Sequence, residues 1–340
     1  MTKKTKAVAQ MTDKSYRKIS IFEAADRLSR PKNTLVVYHA RPDGDTIGSA
    51  LALCEAMRYF GSVAYVTGVD EIPERLRFLC PEGFGSALYE NFPKEFSPER
   101  VVTVDAAAPS LIGDIYDKVG GKVDLMIDHH ELNSVFADNC IDPSAAACGQ
   151  IVLSIIFAMF EDRHDIPRKV LDCCYAAIAS DTGCFKYSNV TPETHKAAAT
   201  LISMGVNAAE INTLLFETKS EKQLCAEALA ASRIKTHFGG RVSVVTFPYS
   251  LKKEYGLSEE HLETIVDIAR CISGVMVAIA VKQPFDDDRY RVSLRSNCGI
   301  DVSRICAGFS GGGHKKAAGC TIIAESAEEA AEKVLSAIPL

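Results

Sequence analysis

The sequence predicts a two-domain α/β protein, in which a parallel sheet with helices on both faces is followed by a smaller mixed α+β domain. The chain has 340 residues, more than one typical domain needs. Strand-like apolar runs alternate with helical patterns over its first part, which is typical of a parallel sheet. After Gly239 and Gly240 the pattern changes to β-rich segments, so a second domain is expected there.

The first elements alternate between strand and helix. Residues 1–19 are polar and predict a flexible tail, and Ser20 with Glu23 forms a capping-box pattern before an amphipathic helix. Then come, in order, the strand TLVVYH, the helix IGSALALCEAMRYF, the strand VAYVT, the helix IPERLRFL, and the strands RVVTVD and VDLMID. Continuously apolar strands are buried on both faces, so these strands predict a sheet with helices on each side.

Helices dominate the rest of the first domain. CGQIVLSIIFAMF and PRKVLDCCYAAIAS predict two long helices. Three later helix starts are predicted by an N-cap residue and its partner or by a leading proline: Thr191 with Pro192, Asn207 with Glu210, and Ser220 with Gln223. We place the first domain at 20–215 and a connecting helix or linker at 216–238.

The second domain, predicted at 239–340, mixes strands and helices. RVSVVTF predicts a strand, a helix is expected near 258–270, and GVMVAIAV with YRVSLRS predicts a hairpin around PFDDD. A final helix is expected from about Ser326. Alternation along YRVSLRS places Arg291 and Arg295 on the face opposite Val292 and Leu294.

Composition indicates a soluble cytoplasmic protein. Its apolar runs fall short of the roughly 20 residues that a membrane helix needs, and no hydrophobic segment follows the lysine-rich start. The twelve cysteines include no C-x-x-C pair, so buried free thiols in a reducing compartment are expected. A net charge of −6 argues against a protein that coats long nucleic acid.

Carboxylate and imidazole side chains follow three predicted strands and one predicted helix. Ligands of parallel sheets bind beyond the carboxyl ends of the strands, where these side chains are expected. The set is His39, Asp43, Asp45, Asp105, Asp128, His129, His130 and Asp181. Gathered without counter-charge, the carboxylates would repel one another in a site of low dielectric, so cations are expected among them. Oxygen and imidazole ligands without a thiolate favour Mn²⁺ or Mg²⁺ over Zn²⁺.

Two divalent cations match the charge of this set. Four carboxylates carry −4 if the histidine ligands are neutral, namely Asp43, Asp45, Asp105 and Asp181 beside His39 and His129. Two ions about 3.5–4 Å apart activate water and clamp an in-line displacement at phosphorus, so phosphoester hydrolysis is predicted. Neighbouring side chains of an extended segment point to opposite faces. One of His129 and His130 is therefore expected to bind metal and the other to face the substrate.

The segment GFSGGGHKKAAGC, residues 308–320, predicts an anion-binding loop. Its consecutive glycines allow backbone N–H groups to approach an anion, and His314, Lys315 and Lys316 follow them. The chain from Arg289 to Lys316 holds six Lys or Arg and one Asp, although the whole chain is acidic. Neither the triphosphate-loop pattern nor the dinucleotide-binding pattern is present, so we expect a simpler phosphate receptor.

Five motifs, in this order, resemble the DHH phosphoesterase superfamily with its DHHA1 domain. They are H-x-x-P-D-G-D in HARPDGDTIGS, the aspartate of VVTVDAA, the DHH triplet, D-T-G-x-F in DTGCF, and G-G-G-H-x-x-A-A-G in GGGHKKAAG. The length and two-domain plan are most similar to the oligoribonuclease and pAp-phosphatase type, often called nano-RNases. The resemblance implies a DHH catalytic domain and a DHHA1 substrate-binding domain across a cleft.

The resemblance also implies a role for each matching residue. The metal ligands would be His39, Asp43, Asp45, Asp105, His129 and Asp181, with Asp105 bridging two Mn²⁺ ions or, in their place, Mg²⁺ or Co²⁺. His130 would contact the scissile phosphate and support departure of the leaving group, and Asp128 would orient a histidine. The terminal phosphate or nucleotide would be held by Arg295, Gly312, Gly313 and His314. The implied activity releases 5′-mononucleotides from short RNA or DNA and phosphate from pAp.

Other functions stay open at this point. A RecJ-like exonuclease for longer single strands would be expected to carry a further domain and stacking aromatics, whereas this chain has no tryptophan. A phosphodiesterase for pApA or c-di-AMP is an alternative. Family II pyrophosphatases share the metal motifs but have a different second domain. An inactive nucleotide-binding regulator is disfavoured because all six ligand types are present. A second copy of the chain is a candidate partner, and a membrane is not.

Overall fold

The computed structural model describes residues 16–131, 134–297 and 299–340, and the chain divides into two compact units, Met1–Thr218 and Lys219–Leu340. Most of the segment predicted as a connection, 216–238, lies within the second unit. The helix within it has Ala226 and Ala230 buried in the core of the second unit. Among the described residues, no helix has both the length and the apolar composition needed to cross a bilayer.

The first unit contains a five-stranded parallel sheet in the order β2-β1-β3-β4-β5. Its strands are β1 (Thr34–Val37), β2 (Ala64–Thr67), β3 (Arg100–Val104), β4 (Leu125–Asp128) and β5 (Asp138–Ile141). After β1 the chain forms β2 on one side of β1, and it then returns to form β3 on the other side of β1. In such sheets ligands bind where the strand order reverses, outside the carboxyl ends.

Helices of the first unit surround this sheet. They are α1 (Ile21–Ser29), α2 (Gly44–Tyr59), α3 (Ile115–Lys118), α4 (Cys148–Met159), α5 (Arg168–Asp181), α6 (Pro192–Ser203) and α7 (Ala208–Asn212). Shorter 3₁₀ turns lie at Glu74–Leu79, Tyr89–Asn91, Pro109–Ile112 and Arg163–Asp165, and a π-helical turn lies at Thr213–Glu217.

Both faces of the sheet are covered, as predicted. Side chains of β1 alternate, so Val36 joins the larger core formed with α1, α2, α4 and α5. Leu35 and Val37 join a smaller core on the opposite face, with Ile112 and Ile115. The smaller core is covered by one short helix, 3₁₀ turns and aromatic side chains rather than by long helices.

Two elements of the first unit differ from the prediction. The segment IPERLRFL forms a 3₁₀ turn, Glu74–Leu79, where a regular helix was expected. Strand β5 was not predicted, because its sequence DNCI has two polar residues among four and lacks a strand pattern. It nevertheless completes the sheet by pairing in parallel with β4.

The start of the chain is ordered earlier than predicted. Of the predicted tail, residues 1–15 lie outside the described residues. Ile19 is buried, and its N–H donates to Asn139 O on β5 at 2.8 Å. The Ser20 hydroxyl accepts from the Glu23 N–H at 3.1 Å, as predicted. The Glu23 carboxylate pairs with Arg17 and Arg27, so only half of the capping box forms.

The second unit contains a six-stranded mixed sheet in the order β10-β11-β9-β8-β7-β6. Its strands are β6 (Lys235–His237), β7 (Val242–Phe247), β8 (Val277–Lys282), β9 (Arg289–Ser296), β10 (Gly312–His314) and β11 (Ala317–Ile323). Its helices are α8 (Glu221–Ser232), α9 (Tyr249–Glu254), α10 (Ile265–Arg270), α11 (Val302–Ala307) and α12 (Ala327–Leu335). Among the described strands of this sheet, only β7 and β8 pair in parallel, and β8 with β9 forms the predicted antiparallel hairpin.

The two faces of the second sheet are covered differently. Val292 and Leu294 of β9 are buried in a core with α11 and α12. On the other face, Val245 and Ala278 are covered by α8 and α10. The helix predicted near 258–270 is interrupted, with a 3₁₀ turn at Glu260–Leu262 before α10. Arg291 and Arg295 lie on the face opposite Val292 and Leu294, as the alternation predicted.

Candidate metal centre

The six residues predicted as metal ligands lie together at the carboxyl edge of the first sheet. They form two clusters, His39 with Asp43 and Asp105, and Asp45 with His129 and Asp181. Within each cluster the candidate ligand atoms lie within 4.8 Å of one another. A third cluster joins Asp105 to His129 and His130. Asp105 and His129 together therefore connect the first two clusters, at the position where the strand order reverses.

Asp105 is the central residue of this arrangement. It is buried, its Oδ2 lies 3.4 Å from His39 Nε2, and its Oδ1 lies 3.4 Å from His129 Nε2. Its φ of +54° is unusual for a residue with a side chain, and its N–H is held by Ile127 O at 2.9 Å. Within the described part of the chain, Oδ1 has no hydrogen-bond partner. A buried carboxylate oxygen without a donor fits a bound cation.

Asp45 is fixed by the start of helix α4. Its Oδ2 accepts from the Cys148 N–H at 2.7 Å, and its Oδ1 accepts from the Gly149 N–H at 2.9 Å and from the Ser49 hydroxyl at 3.2 Å. The positive end of the helix dipole favours an ionised carboxylate there. Asp43 is the N-cap of α2 and accepts from the Asp45 N–H at 3.0 Å.

The imidazoles of His39 and His129 are oriented by backbone carbonyls. His39 Nδ1 lies 2.9 Å from Ala40 O, and His129 Nδ1 lies 3.2 Å from Ala145 O. A neutral ring that donates from Nδ1 presents the lone pair of Nε2. In both residues Nε2 faces carboxylates of the clusters, so these rings are arranged as metal ligands require.

The prediction that the adjacent histidines point to opposite faces is wrong. The ring centroids of His129 and His130 are 4.8 Å apart, and both rings approach Asp105 Oδ1. Strand alternation stops because β4 ends at Asp128. Asp128 Oδ1 then accepts from the N–H groups of His129 at 2.7 Å and His130 at 3.2 Å. The same oxygen lies 2.7 Å from His130 Nδ1, so Asp128 orients that ring.

The pKa values of these groups reflect the crowding of buried carboxylates. Burial raises the pKa of Asp45, and Asp105 and Asp181 raise it further. Burial also raises the pKa of Asp181 to about 7. For Asp105, burial would raise the pKa, but His129 and His39 lower it below its ordinary value.

The carboxylates raise the pKa values of the histidines in the clusters. Burial would lower the pKa of His39 and of His129, but the carboxylates outweigh it. The nearby Asp105 raises the pKa of His39 to about 9 and, with Asp45, that of His129 to about 10. Divalent cations would replace these protons, so the donor set and its charge fit a pair of them.

The predicted substrate-binding residues lie on the second sheet. Arg295 of β9 pairs with Ala317 of β11, and Ala317 pairs with His314 of β10, so the three residues form one row. The glycine motif is therefore partly a strand, β10, rather than the loop that was predicted. A Cβ on Gly313 would lie 2.6 Å from Ala317 O, so the sheet leaves no room for a side chain there. The side chain of His314 lies outside what the structure describes.

One of the adjacent residues Gly312 and Gly313 still presents its backbone groups away from β11, because β10 is at the edge of the sheet. An edge strand leaves alternate N–H groups for other partners. Arg295 Nε lies 3.8 Å from Asp267 Oδ1, a weak and partly exposed ion pair that an anionic ligand can replace.

Sequence reasoning missed the groups that support the ligands. The N–H groups of Cys148 and Gly149 that bind Asp45 carry no residue-type signal, because any residue supplies a backbone donor. Asn189 was also missed. Its Nδ2 donates to Asp181 O at 3.1 Å and to Ala146 O at 2.9 Å, and its position shortly after DTGCF was the available signal.

Both units match known families. Residues 33–178 match the DHH family, N-terminal domain, and residues 239–338 match the DHHA1 domain. The chain is 34% identical over 306 residues to the bifunctional oligoribonuclease and PAP phosphatase NrnA of Thermus thermophilus, covering 89% of this chain and 88% of the relative. It is 27% identical over 297 residues to the protein of that name from Bacillus subtilis, covering 85% and 90%.

A solved structure has the same fold. The exopolyphosphatase-related protein from Bacteroides fragilis superposes with a TM-score of 0.85 at 23% identity, covering 93% of this chain and 95% of that protein. The agreement extends over both units of the chain, so the arrangement of strands and helices described above is a known fold.

Proposed function

This chain belongs to the DHH family and carries a DHHA1 domain, and from that premise we propose that it is a metal-dependent phosphohydrolase of short nucleotides. It degrades short oligonucleotides to 5′-mononucleotides and removes phosphate from pAp-like 3′-phosphonucleotides. The names of the relatives from Thermus thermophilus and Bacillus subtilis support this choice of substrates. The observation that carries the proposal is the pair of carboxylate and imidazole clusters joined at Asp105.

These clusters would hold two divalent cations, with Mn²⁺ preferred over Mg²⁺ and Co²⁺. The residues that would hold them are His39, Asp43, Asp45, Asp105, His129 and Asp181. Asp105, which lies 3.4 Å from both His39 and His129, would serve both ions. The unpartnered Asp105 Oδ1 and the mixture of oxygen and imidazole donors support this assignment. Bound there, the cations supply Lewis acidity, which activates water and offsets phosphate charge.

His130 acts on the leaving group. Its Nδ1 is held by Asp128, so Nε2 is the atom that contacts the scissile phosphate. Burial would lower the pKa of His130, but the hydrogen bond to Asp128 and the nearby Asp105 raise it above its ordinary value. His130 is therefore suited to donate a proton to the departing oxygen, and Asp128 is its positioning residue.

Arg295 and the edge strand of the second unit bind the terminal phosphate. The residues assigned to this role are Arg295, Gly312, Gly313 and His314. Arg295 lies on the same sheet face as Ser293, which pairs with Gly319, so its neighbours on that face are small. Arginine binds phosphate oxygens through paired N–H donors, and the glycines add backbone N–H groups.

A side-by-side assay tests the proposal. Purified protein is given pAp, pApA, RNA of two to five nucleotides, longer single strands and pyrophosphate, with Mn²⁺ or with EDTA. We expect hydrolysis of pAp and the shortest RNA, loss of activity in EDTA and recovery with Mn²⁺. Asp105→Asn is the inactive control. Hydrolysis of pyrophosphate alone, or activity that EDTA does not affect, contradicts the proposal. A preference for pApA or for longer strands would assign the alternative substrates instead.

A further inference from the structure

A strained turn follows the candidate metal ligand Asp181. Gly183, Cys184 and Phe185 have φ values of +54°, +58° and +61°, so three consecutive residues lie in the left-handed region. Residues other than glycine avoid this region, and bulky ones do so most strongly. Strain of this kind persists only where the surrounding structure enforces it, and it is concentrated at functional sites.

Thr182 holds the strained turn in place. Its hydroxyl donates to Ile178 O at 2.6 Å and accepts from the Phe185 N–H at 3.1 Å. Its carbonyl accepts from the N–H groups of Lys186 at 2.9 Å and Tyr187 at 3.1 Å. A single backbone hydrogen bond therefore ties Tyr187 to Thr182, the residue directly after Asp181.

The turn directs two aromatic rings differently. Phe185 packs on the core of the first unit, with its ring near Tyr175 and stacked on His195 at a centroid distance of 5.5 Å. Tyr187 instead lies flat against Gly183, where a Cβ would come within 2.3–2.6 Å of its ring atoms. The Tyr187 residue is 43% exposed. Phe185 thus supplies an apolar anchor of the turn.

We propose that Tyr187 is a stacking platform for a nucleobase of the bound substrate. One side of the ring is supported by Gly183, the residue is open to solvent, and the backbone places it beside a candidate metal ligand. Aromatic rings bind bases of any sequence through their faces, which suits an enzyme that must accept every short oligonucleotide. The inference rests on the proposed function, because it assumes a nucleotide substrate.

The proposed stacking is tested by changing residue 187 of the protein and one base of the substrate, first separately and then together. Wild type, Tyr187→Leu and Tyr187→Phe are compared on a diribonucleotide and on the same molecule made abasic at each position in turn. Stacking on one ring predicts that Tyr187→Leu raises KM for the intact dinucleotide about 5- to 150-fold, whereas Tyr187→Phe resembles wild type. For the abasic substrate that lacks the stacked base, Tyr187→Leu should have no further effect. An equal rise in KM for intact and abasic substrates, or no rise at all, overturns the inference.

Tyr255→Leu is the matched control, because Tyr255 is also 43% exposed but lies in the second unit. It should leave KM unchanged, and melting temperatures should show that all variants are folded.

A binding measurement separates this inference from the proposed function. Adenosine is added to EDTA-treated protein with isotope-labelled tyrosine rings, and the resonance absent in Tyr187→Leu is followed by NMR. A shift of that resonance supports the platform even if wild type hydrolyses neither substrate, which would reject only the proposed function. No shift of that resonance, with hydrolysis intact, rejects the platform alone.

Discussion

Asp105 connects the two clusters of candidate ligands because its carboxylate oxygens face different histidines. Oδ2 lies near His39 and Oδ1 lies near His129, and the left-handed backbone of Asp105 sets this direction. His130 is also close, because its Nδ1 lies 3.6 Å from Asp105 Oδ1. At the scale of single residues, the decisive question is therefore whether His130 acts on substrate or binds metal.

Replacing His130 by alanine answers this question. We expect His130→Ala to lower kcat for pAp about 10²- to 10⁴-fold, because a general acid is lost, and to leave the bound Mn²⁺ unchanged. His129→Ala is the comparison and should lose metal. Metal content is measured by mass spectrometry after gel filtration. If His130→Ala loses metal, His130 is a ligand rather than a general acid. Its cluster with Asp105 and His129 would then be a third group of metal ligands.

Arg295 allows a second test with a control from the same strand. Arg295→Ala should raise KM for pAp about tenfold or more, because a hydrogen bond to a charged group contributes about 1.5–3 kcal/mol. Arg289 lies at the start of β9, on the same face, and pairs with Asp287. Arg289→Ala should leave KM unchanged. Equal effects of the two changes would show that general positive charge, rather than a phosphate site at Arg295, is responsible.

At the scale of elements, the starts of two helices shape the metal centre. Asp43 caps α2, and the first turn of α4 binds the carboxylate of Asp45. Close packing of small residues allows this approach. A Cβ on Gly149 would meet Ala177 Cβ of α5 at 2.5 Å and Asp45 Oδ1 at 3.4 Å. The glycine thus serves both the contact with α5 and the position of the ligand.

Gly149→Ala should therefore disturb stability and metal binding together. We expect a loss of about 1–3 kcal/mol in the free energy of unfolding, because the added methyl group overpacks the contact with α5. The Kd for Mn²⁺ should rise because Asp45 is displaced. Gly85→Ala is the control, since nothing lies within 4 Å of the position of its Cβ. Urea unfolding and metal titration measure the two effects, and normal values for Gly149→Ala would refute the account of Asp45.

At the scale of the whole molecule, the two units have separate cores. The core of the first unit includes α1, α2, α4 and α5, and the second unit has a core on each face of its sheet. Helix α8 belongs to the second unit because Ala226 and Ala230 contribute to one of these cores.

This division predicts which fragments fold. The fragment Lys219–Leu340 should melt cooperatively, whereas 239–340 should not, because removal of α8 uncovers Val245 and Ala278. Circular dichroism during heating measures both. Equal melting temperatures would show that α8 is a linker, as first predicted from the sequence.

Proton and metal binding to the whole protein should be linked. The folded pKa is about 9 for His39, about 10 for His129 and about 7 for Asp181, each above its ordinary value. A raised folded pKa gives stability that is complete below the ordinary pKa and is lost as pH rises through the folded value. For His39 and His129 this loss of stability begins at about pH 6.5. For Asp181 it is complete above about pH 7.

The Tm of EDTA-treated protein should therefore fall as pH rises from 6 to 9. Mn²⁺ binds the deprotonated ligands, so its stabilising effect should grow over the same range. Thermal melts with EDTA and with Mn²⁺ measure this, and the difference in Tm should widen with pH. A difference that stays constant would contradict the set of ligands, and Asp45→Asn should remove most of the effect.

Local patterns in the sequence were enough to predict the parallel sheet, its two covered faces and the meeting of the acidic and imidazole residues. Continuous apolar strands and helix caps are local patterns, and parallel strands end at one edge, so residues after each strand must come together. This reasoning placed His39, Asp105 and His129 near one another, as observed.

Four features could be established only from the folded chain. They are the direction of the His130 ring, the strand formed by Gly312 and Gly313, the place of α8 in the second unit and the support of Asp45 by α4. Asp45 is held by backbone N–H groups of a distant helix, and every residue has such groups, so they leave no pattern in the sequence. The His130 ring is turned by the Asp128 carboxylate after the strand has ended, and α8 is placed by which small side chains become buried. Only the packed chain selects among these contacts.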